Sequence, residues 1–228
     1  MRSVFETPPA LASAAADEFL RAGREAISAR GAFLAALSGG ETPRATHAAI
    51  AERAGEIDWM RVHLFWGDER CVAPDDPQSN YRMARETLLS RVPIPAANAH
   101  RWRSELPPAE ASALCEQELR SVAGTPPILD FVFLGLGGDG HTASLFPGTD
   151  ALSITHRSCA ANFVSSLGAW RLTLTYPALN AAREVLFLVE GEAKREIVGK
   201  IEAGADYPAA RVKAARTLWF MDKAAAGE

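Results

Sequence analysis

Cysteine is scarce in this chain, with Cys71, Cys115 and Cys159 the only three among 228 residues. They stand far apart along the sequence, in an odd number and without a C-x-x-C spacing, so neither a disulfide framework nor a zinc site is expected and the thiols read as reduced. No apolar run approaches the roughly 18 residues that a membrane span needs. The N-terminus has only Arg2 as a basic start, and Glu6, Pro8-Pro9, Asp17 and Glu18 leave no room for a signal-peptide h-region, so a cytoplasmic location is expected. Clusters of Lys and Arg are missing as well. The 24 basic and 28 acidic residues give a net charge of −4, which argues against nucleic acid or an anionic membrane as partner. No Ser/Gly-rich linker, internal repeat or block of like charge divides the chain, and residues 1–228 are expected to form a single domain. What remains is an ordinary globular composition, 48% hydrophobic and 23% charged. At this length it suffices to bury about 70% of the unfolded surface.

The apolar pattern alternates helix and strand. Leu11, Ala15, Phe19, Ala22 and Ala26 recur near the helical period and predict a helix over 10–30. Ala32 to Leu37 is an unbroken apolar run of the kind a buried strand shows, and it ends in Ser38-Gly39-Gly40. Thr42-Pro43 reads as an N-cap and first-turn pair opening a helix over 43–54. Further strands are expected at Val62–Trp66, Leu129–Leu134, Arg171–Thr175, Val185–Val189 and Leu218–Met221, with helices at Asn80–Ser90, 108–123 and 192–203. The order predicts an α/β fold with a mostly parallel, Rossmann-like sheet covered by helices on both faces. Ligands of such sheets sit at the carboxyl ends of the strands, so the residues following each strand are the candidates for chemistry.

Four clusters lie there. Ser38-Gly39-Gly40-Glu41-Thr42-Pro43 is either an ordinary strand-to-helix turn or a small anion cradle of backbone N–H groups at a helix N-terminus; it is no Walker A loop, because no Gly-Lys-Ser/Thr follows. Asp68-Glu69-Arg70 is a charged turn in which the arginine could fork onto an anion. Residues 135–140 fit G-x-G-x-x-G, but Pro147-Gly148 stops any long helix and residue 160 is alanine, so a dinucleotide site is disfavoured. What that loop delivers is Asp139 two residues before His141, an arrangement suited to a general base oriented by a carboxylate. Lastly, Arg171 opens a strand, and Lys194 stands in the first turn of a helix, where a cation opposes the macrodipole unless an anion is bound. No metal ligands cluster in the sequence.

Taken in order, these clusters resemble the glucosamine-6-phosphate isomerase/6-phosphogluconolactonase family, and within it the lactonases. The resemblance covers nearly the whole chain: the SGGETP turn, GDERCVAPDDPQSNY at 67–81, LGLGGDGHTASLFPG at 134–148, RLTLTYPALNAAREVLFLVEGEAK at 171–194, and PAARV with TLWFMD at the end. It implies the sugar-phosphate isomerase/lactonase fold and hydrolysis of 6-phospho-D-glucono-1,5-lactone to 6-phospho-D-gluconate in the oxidative pentose phosphate pathway. The implied partner is this small sugar-phosphate lactone, with no cofactor or metal, and the chain is expected to be a monomer or weak homodimer. His141, Asp139 and Arg70 are then the catalytic candidates. Ser38, Gly39, Gly40, Thr42, Arg171 and Lys194 would hold the phosphate, with Asp68 and Gly138 as weaker substrate contacts.

The competing expectation within the family is a glucosamine-6-phosphate deaminase. Those enzymes place a glutamate five residues after the histidine, where this chain has Phe146, and an aspartate-glutamate-tyrosine run where it has Asp68-Glu69-Arg70. Isomerisation needs several proton transfers, whereas lactone hydrolysis needs one base and a stabilised oxyanion. A non-catalytic sugar-phosphate binding protein on the same scaffold is the third possibility.

Overall fold

A computed structural model describes all 228 residues. The chain runs β1 (Arg2–Phe5), α1 (Pro8–Arg30), β2 (Phe33–Leu37), α2 (Glu41–Glu52), β3 (Val62–Trp66), β4 (Asp68–Arg70), α3 (Asn80–Thr87), α4 (Pro108–Ala123) and β5 (Phe131–Gly135). It continues with β6 (Cys159–Val164), β7 (Ala169–Leu174), α5 (Tyr176–Ala181), β8 (Glu184–Val189), α6 (Arg195–Glu202), β9 (Arg216–Asp222) and α7 (Lys223–Ala226). Six strands form one parallel sheet in the order β1-β9-β8-β5-β2-β3. Successive strand residues point to opposite faces, and Phe131, Val132, Phe133 and Leu134 of central β5 are all fully buried, so both faces are covered as expected. On one of them Phe19 of α1 packs against Phe33, Phe131 and Phe133, with ring centroids 5.0, 6.0 and 5.7 Å apart. No helix is long and apolar enough to cross a membrane.

The sheet departs from expectation in two respects, of which the first is β1, an unforeseen edge strand paired with β9. The second is that the strand expected at Arg171–Thr175 is not in the parallel sheet: β7 belongs to a second, antiparallel sheet ordered β4-β7-β6. Two of its members, the all-charged Asp68–Arg70 and Cys159–Val164, whose apolar residues are interrupted by Asn162, show no apolar run of strand length. Gly67 is where the chain changes sheets: its N–H donates to Leu37 O of β2 and its carbonyl accepts from Leu174 N of β7, both at 2.8 Å. Helix starts differ too. Pro8 and Pro9 fit the first turn of α1, where their missing N–H is harmless, and Thr7 Oγ1 accepts from Ala10 N at 3.3 Å. Thr42 is not an N-cap; Gly40 holds that position of α2 at φ 110°, and Thr42 lies inside the helix with its carbonyl accepting from Thr46 Oγ1 at 3.1 Å. The three cysteines are free thiols, although Cys115 of α4 and Cys159 of β6, distant in sequence, meet in space.

His47, on the buried side of α2, is fully enclosed with neither ring nitrogen partnered. Burial, and then the nearby Arg44 charge, push its pKa down to about 3. An unfolded imidazole titrates near 6.5, so between these values the unfolded chain binds a proton that the folded one refuses. The resulting stability is present above about pH 6.5 and is lost as pH falls towards 3. By about pH 5 the loss from this group is about 2 kcal/mol. Urea midpoints measured near neutrality and at about pH 5 should therefore diverge in the wild type and converge in His47→Leu; a variant with an undiminished pH slope would contradict this.

Candidate active site

Because the six main strands are parallel, their carboxyl ends lie along one edge, and four loops meet there: Ser38-Gly39-Gly40 after β2, Gly67 and β4 after β3, the glycine-rich stretch after β5, and Gly191 onward after β8. They enclose a cleft of about 210 Å³. Ser38, Gly39, Asp68, Arg70, His141 and Lys194 line it, as the sequence predicts, together with Asn80, Gly137 and Ala143. Asp139 reaches the cleft through His141. Gly40, Thr42, Gly138 and Arg171 are not in its wall. A larger cavity of about 630 Å³ lies between the N-terminus, α6 and β9, but it is lined by no histidine, cysteine or serine.

The loop after β5 folds around its imidazole. Asp139 Oδ1 lies 2.6 Å from His141 Nδ1 and accepts the His141 backbone N–H at 3.1 Å. A carboxylate at Nδ1 fixes the proton on that nitrogen and leaves Nε2 with its lone pair. Partial burial would raise the Asp139 carboxyl, but the His141 N–H and ring outweigh it and hold the group below its ordinary value. The back of the imidazole is covered by Phe146, stacked at a centroid distance of 3.9 Å and 24°. Gly137 must lack a side chain, since a Cβ there would come within 2.0 Å of His141 Nδ1. Ala143, at φ 48°, holds a left-handed backbone that costs a non-glycine residue energy.

The second sheet is fixed to this loop by buried polar contacts. Ser144 Oγ donates to Asp68 Oδ2 at 2.7 Å, its N–H donates to Thr173 Oγ1 at 3.1 Å, and its carbonyl accepts from Asn162 Nδ2 at 2.9 Å. Asn80 Nδ2 donates to the Asp68 carbonyl at 2.9 Å, and the Asn80 amide occupies the space that a side chain at Gly39 would need. Glu69, 1% exposed, accepts four hydrogen bonds: Arg70 N, Asn80 N and Tyr81 N at 2.8 Å and Ser79 Oγ at 3.1 Å. Burial raises its carboxyl from the ordinary value against the pull of those N–H groups. Sequence reasoning treated Glu69 as part of a solvated turn and missed Asn80; a carboxylate eleven residues before a helix start gives no local sign that it will bind that start.

The cleft is short of counter-charge. Arg70 donates one N–H to the Gln78 carbonyl and keeps the rest of its fork free. Arg171 stands directly opposite it in the β4–β7 register, an arrangement of like charges that costs stability. Burial first, and the Arg70 guanidinium next, lower the Arg171 pKa. Lys194 ends the turn leading into α6; the preceding Gly191 is held by Asp222, whose carboxylate accepts its N–H at 3.0 and 3.1 Å. None of the three cations forms an ion pair, and Ser38 Oγ is buried without a partner. No group of three His, Cys, Asp or Glu side chains converges to hold a metal ion.

A parallel sheet whose carboxyl edge sets a carboxylate-bound imidazole beside unpaired cations defines an α/β protein built to receive an anion next to a base. The profile of the family described as "Glucosamine-6-phosphate isomerases/6-phosphogluconolactonase" matches residues 6–219, and the chain belongs to that family. A 6-phosphogluconolactonase of Nostoc sp. is 44% identical over 213 residues, covering 89% of this chain and 87% of the relative. The crystal structure of 6-phosphogluconolactonase from Thermotoga maritima superposes with a TM-score of 0.88 at 30% identity, covering 98% of this chain and 99% of that one. A monomeric glucosamine-6-phosphate deaminase has the same fold, with a TM-score of 0.83 at 20% identity over 99% of this chain and 98% of that one.

Proposed function

We infer that this chain is a lactonase of its family, hydrolysing 6-phospho-D-glucono-1,5-lactone to 6-phospho-D-gluconate in the oxidative pentose phosphate pathway. The observation that carries the reading is the stacking of Phe146 on His141. The position where deaminases of the family place a glutamate is filled here by an apolar ring, so that acid is missing beside the imidazole.

Water held at Nε2 of His141 loses its proton to the imidazole as it attacks the lactone carbonyl, and the imidazolium is stabilised by Asp139 across the 2.6 Å contact. The carbonyl oxygen becomes an oxyanion, for which the free donors of Arg70 supply permanent charge. The proton then passes to the ring oxygen as the C–O bond breaks. At a distance from the reacting carbon, Lys194 and the Ser38–Gly40 turn at the start of α2 hold the 6-phosphate and so orient the ring, while Arg171, outside the cleft wall and opposite Arg70, adds its charge to the field that draws the dianion in. Gly40 and Thr42 take part only through backbone N–H groups, and Asp68 and Gly138 shape the substrate's surroundings. We further read residues 1–228 as one catalytic domain, active as a monomer or weak homodimer; a hydrophobic core continuous from Leu11 to Ala225 supports the first part.

Arg171→Ala and Lys194→Ala should raise KM about tenfold or more and leave kcat within a few-fold, as loss of a charge-assisted bond to a dianion would. Steady-state kinetics with inhibition by inorganic phosphate measure this, and KM values equal to wild type would remove both residues from the phosphate site. The activity itself is tested with 6-phosphogluconolactone made in situ, correcting for spontaneous ring opening, beside a glucosamine-6-phosphate deamination assay. Lactone turnover without deamination is the expected result; the reverse overturns the reading.

A further inference from the structure

Cys115 and Cys159 are 44 positions apart in the chain, yet their sulfurs lie 2.6 Å from each other. A covalent S–S bond is about 2.05 Å long, so little movement separates the pair from being joined. The backbones carrying them are already fixed together: Glu116, next to Cys115 on α4, accepts the N–H groups of Ser158 and Cys159 at 2.7 and 2.8 Å. Cys115 is partly exposed and Cys159 is buried behind it. Cys71, the third thiol, follows Arg70 in the chain and has no thiol partner.

We propose that Cys115 and Cys159 are an oxidation site, a dithiol that hydrogen peroxide converts into an intramolecular disulfide clamping α4 to β6. Cys115, nearer to solvent, attacks the peroxide: the O–O bond breaks, a sulfenic acid forms, and one water leaves with the thiol proton. Cys159 then displaces hydroxide from that sulfur, the S–O bond gives way to S–S, and the second thiol proton leaves in a second water. Two thiols and one peroxide thus yield one disulfide and two waters. Burial, then the adjacent Cys159 thiol and the Glu118 and Glu116 carboxylates, hold the Cys115 thiol protonated well above its ordinary range, so the thiolate that attacks peroxide is scarce and the pair stays reduced until oxidant is in excess.

The clamp acts behind the site, not in it. Along β6, Cys159 and Ala161 face α4, whereas Asn162 points the other way, to Ser144. Closing a loop of this length restricts the unfolded chain, and the oxidised protein should melt about 5–10 °C higher than the reduced one.

The test treats the folded full-length protein with hydrogen peroxide, quenches, denatures and counts free thiols. We expect three thiols to fall to one, a mass loss of two hydrogens, a Cys115–Cys159 cross-linked peptide on mapping, and restoration by a dithiol reductant. Cys71→Ser should still form the link. Cys115→Ser, altering the partly exposed partner, should abolish it; Cys159→Ser repeats the test from the other side. Three thiols surviving in the folded wild type, a link through Cys71 or between molecules, or stable over-oxidation of one cysteine without a link would each overturn the proposal.

Discussion

His141→Asn should lower kcat by about 10²- to 10⁴-fold, the range attributable to a positioned general base, while KM and thermal stability stay near wild type. Asparagine is chosen because its amide can still donate to Asp139 and lie against Phe146, so the loop keeps its shape while the basic nitrogen is lost. The glycines of the loop reinforce this separation of chemistry from folding, since the 137–141 turn is closed by backbone bonds of its own, Gly137 N to His141 O at 2.8 Å and Gly140 N to Gly137 O at 3.0 Å. Steady-state kinetics and a thermal melt on the same preparation decide the matter. A kcat within a few-fold of wild type would mean that another group activates the water.

Glu69→Gln changes one atom type and should nonetheless damage both stability and activity. Four donors converge on this carboxylate, three of them backbone N–H groups, and an amide can meet them with only one oxygen while turning its own N–H₂ towards the others. Unsatisfied buried donors cost about 1–3 kcal/mol each; with partial rearrangement a total of about 2–4 kcal/mol is expected. For a chain of this size that lowers Tm by about 5–10 °C. Arg70 and Asn80 both take their backbone position from Glu69, so kcat/KM should fall about tenfold or more, displacement of a positioned group being expensive. Differential scanning calorimetry together with kinetics reads both effects. An unchanged Tm would show that Glu69 does not organise the start of α3.

The parallel sheet was legible because its buried strands are short apolar runs, interrupted only by His63 in β3, and the candidate site was legible because such sheets expose their ligands at one edge. Four charged or glycine-rich loops following strands were enough to find it. The second sheet was not legible. Asp68–Arg70 consists wholly of charges and pairs only three residues of β7; it is a strand because Leu172 and Thr173 are there to pair with, and no local property announces that. The same holds for Ser144 and Asp68, which meet across 76 positions, and for Cys115 and Cys159. Thr42 is not the cap: a threonine before a proline is a common helix start, but two glycines upstream let α2 begin two residues earlier, with Gly40 at the cap.

The facing of Arg70 and Arg171 has a consequence for the protein's life before it meets a substrate. Two guanidinium groups placed opposite one another in a register of three residues keep the small sheet under mutual repulsion, and that cost is relieved by whatever anion settles between them. Occupancy and folding are thereby coupled: any anion that binds there raises the melting temperature in proportion to the logarithm of its concentration once the site is saturated, and dissolved salt, by screening the pair, does part of the same work. The empty enzyme is the least durable form of the molecule, so its cellular half-life would follow the supply of the phosphorylated sugars it handles.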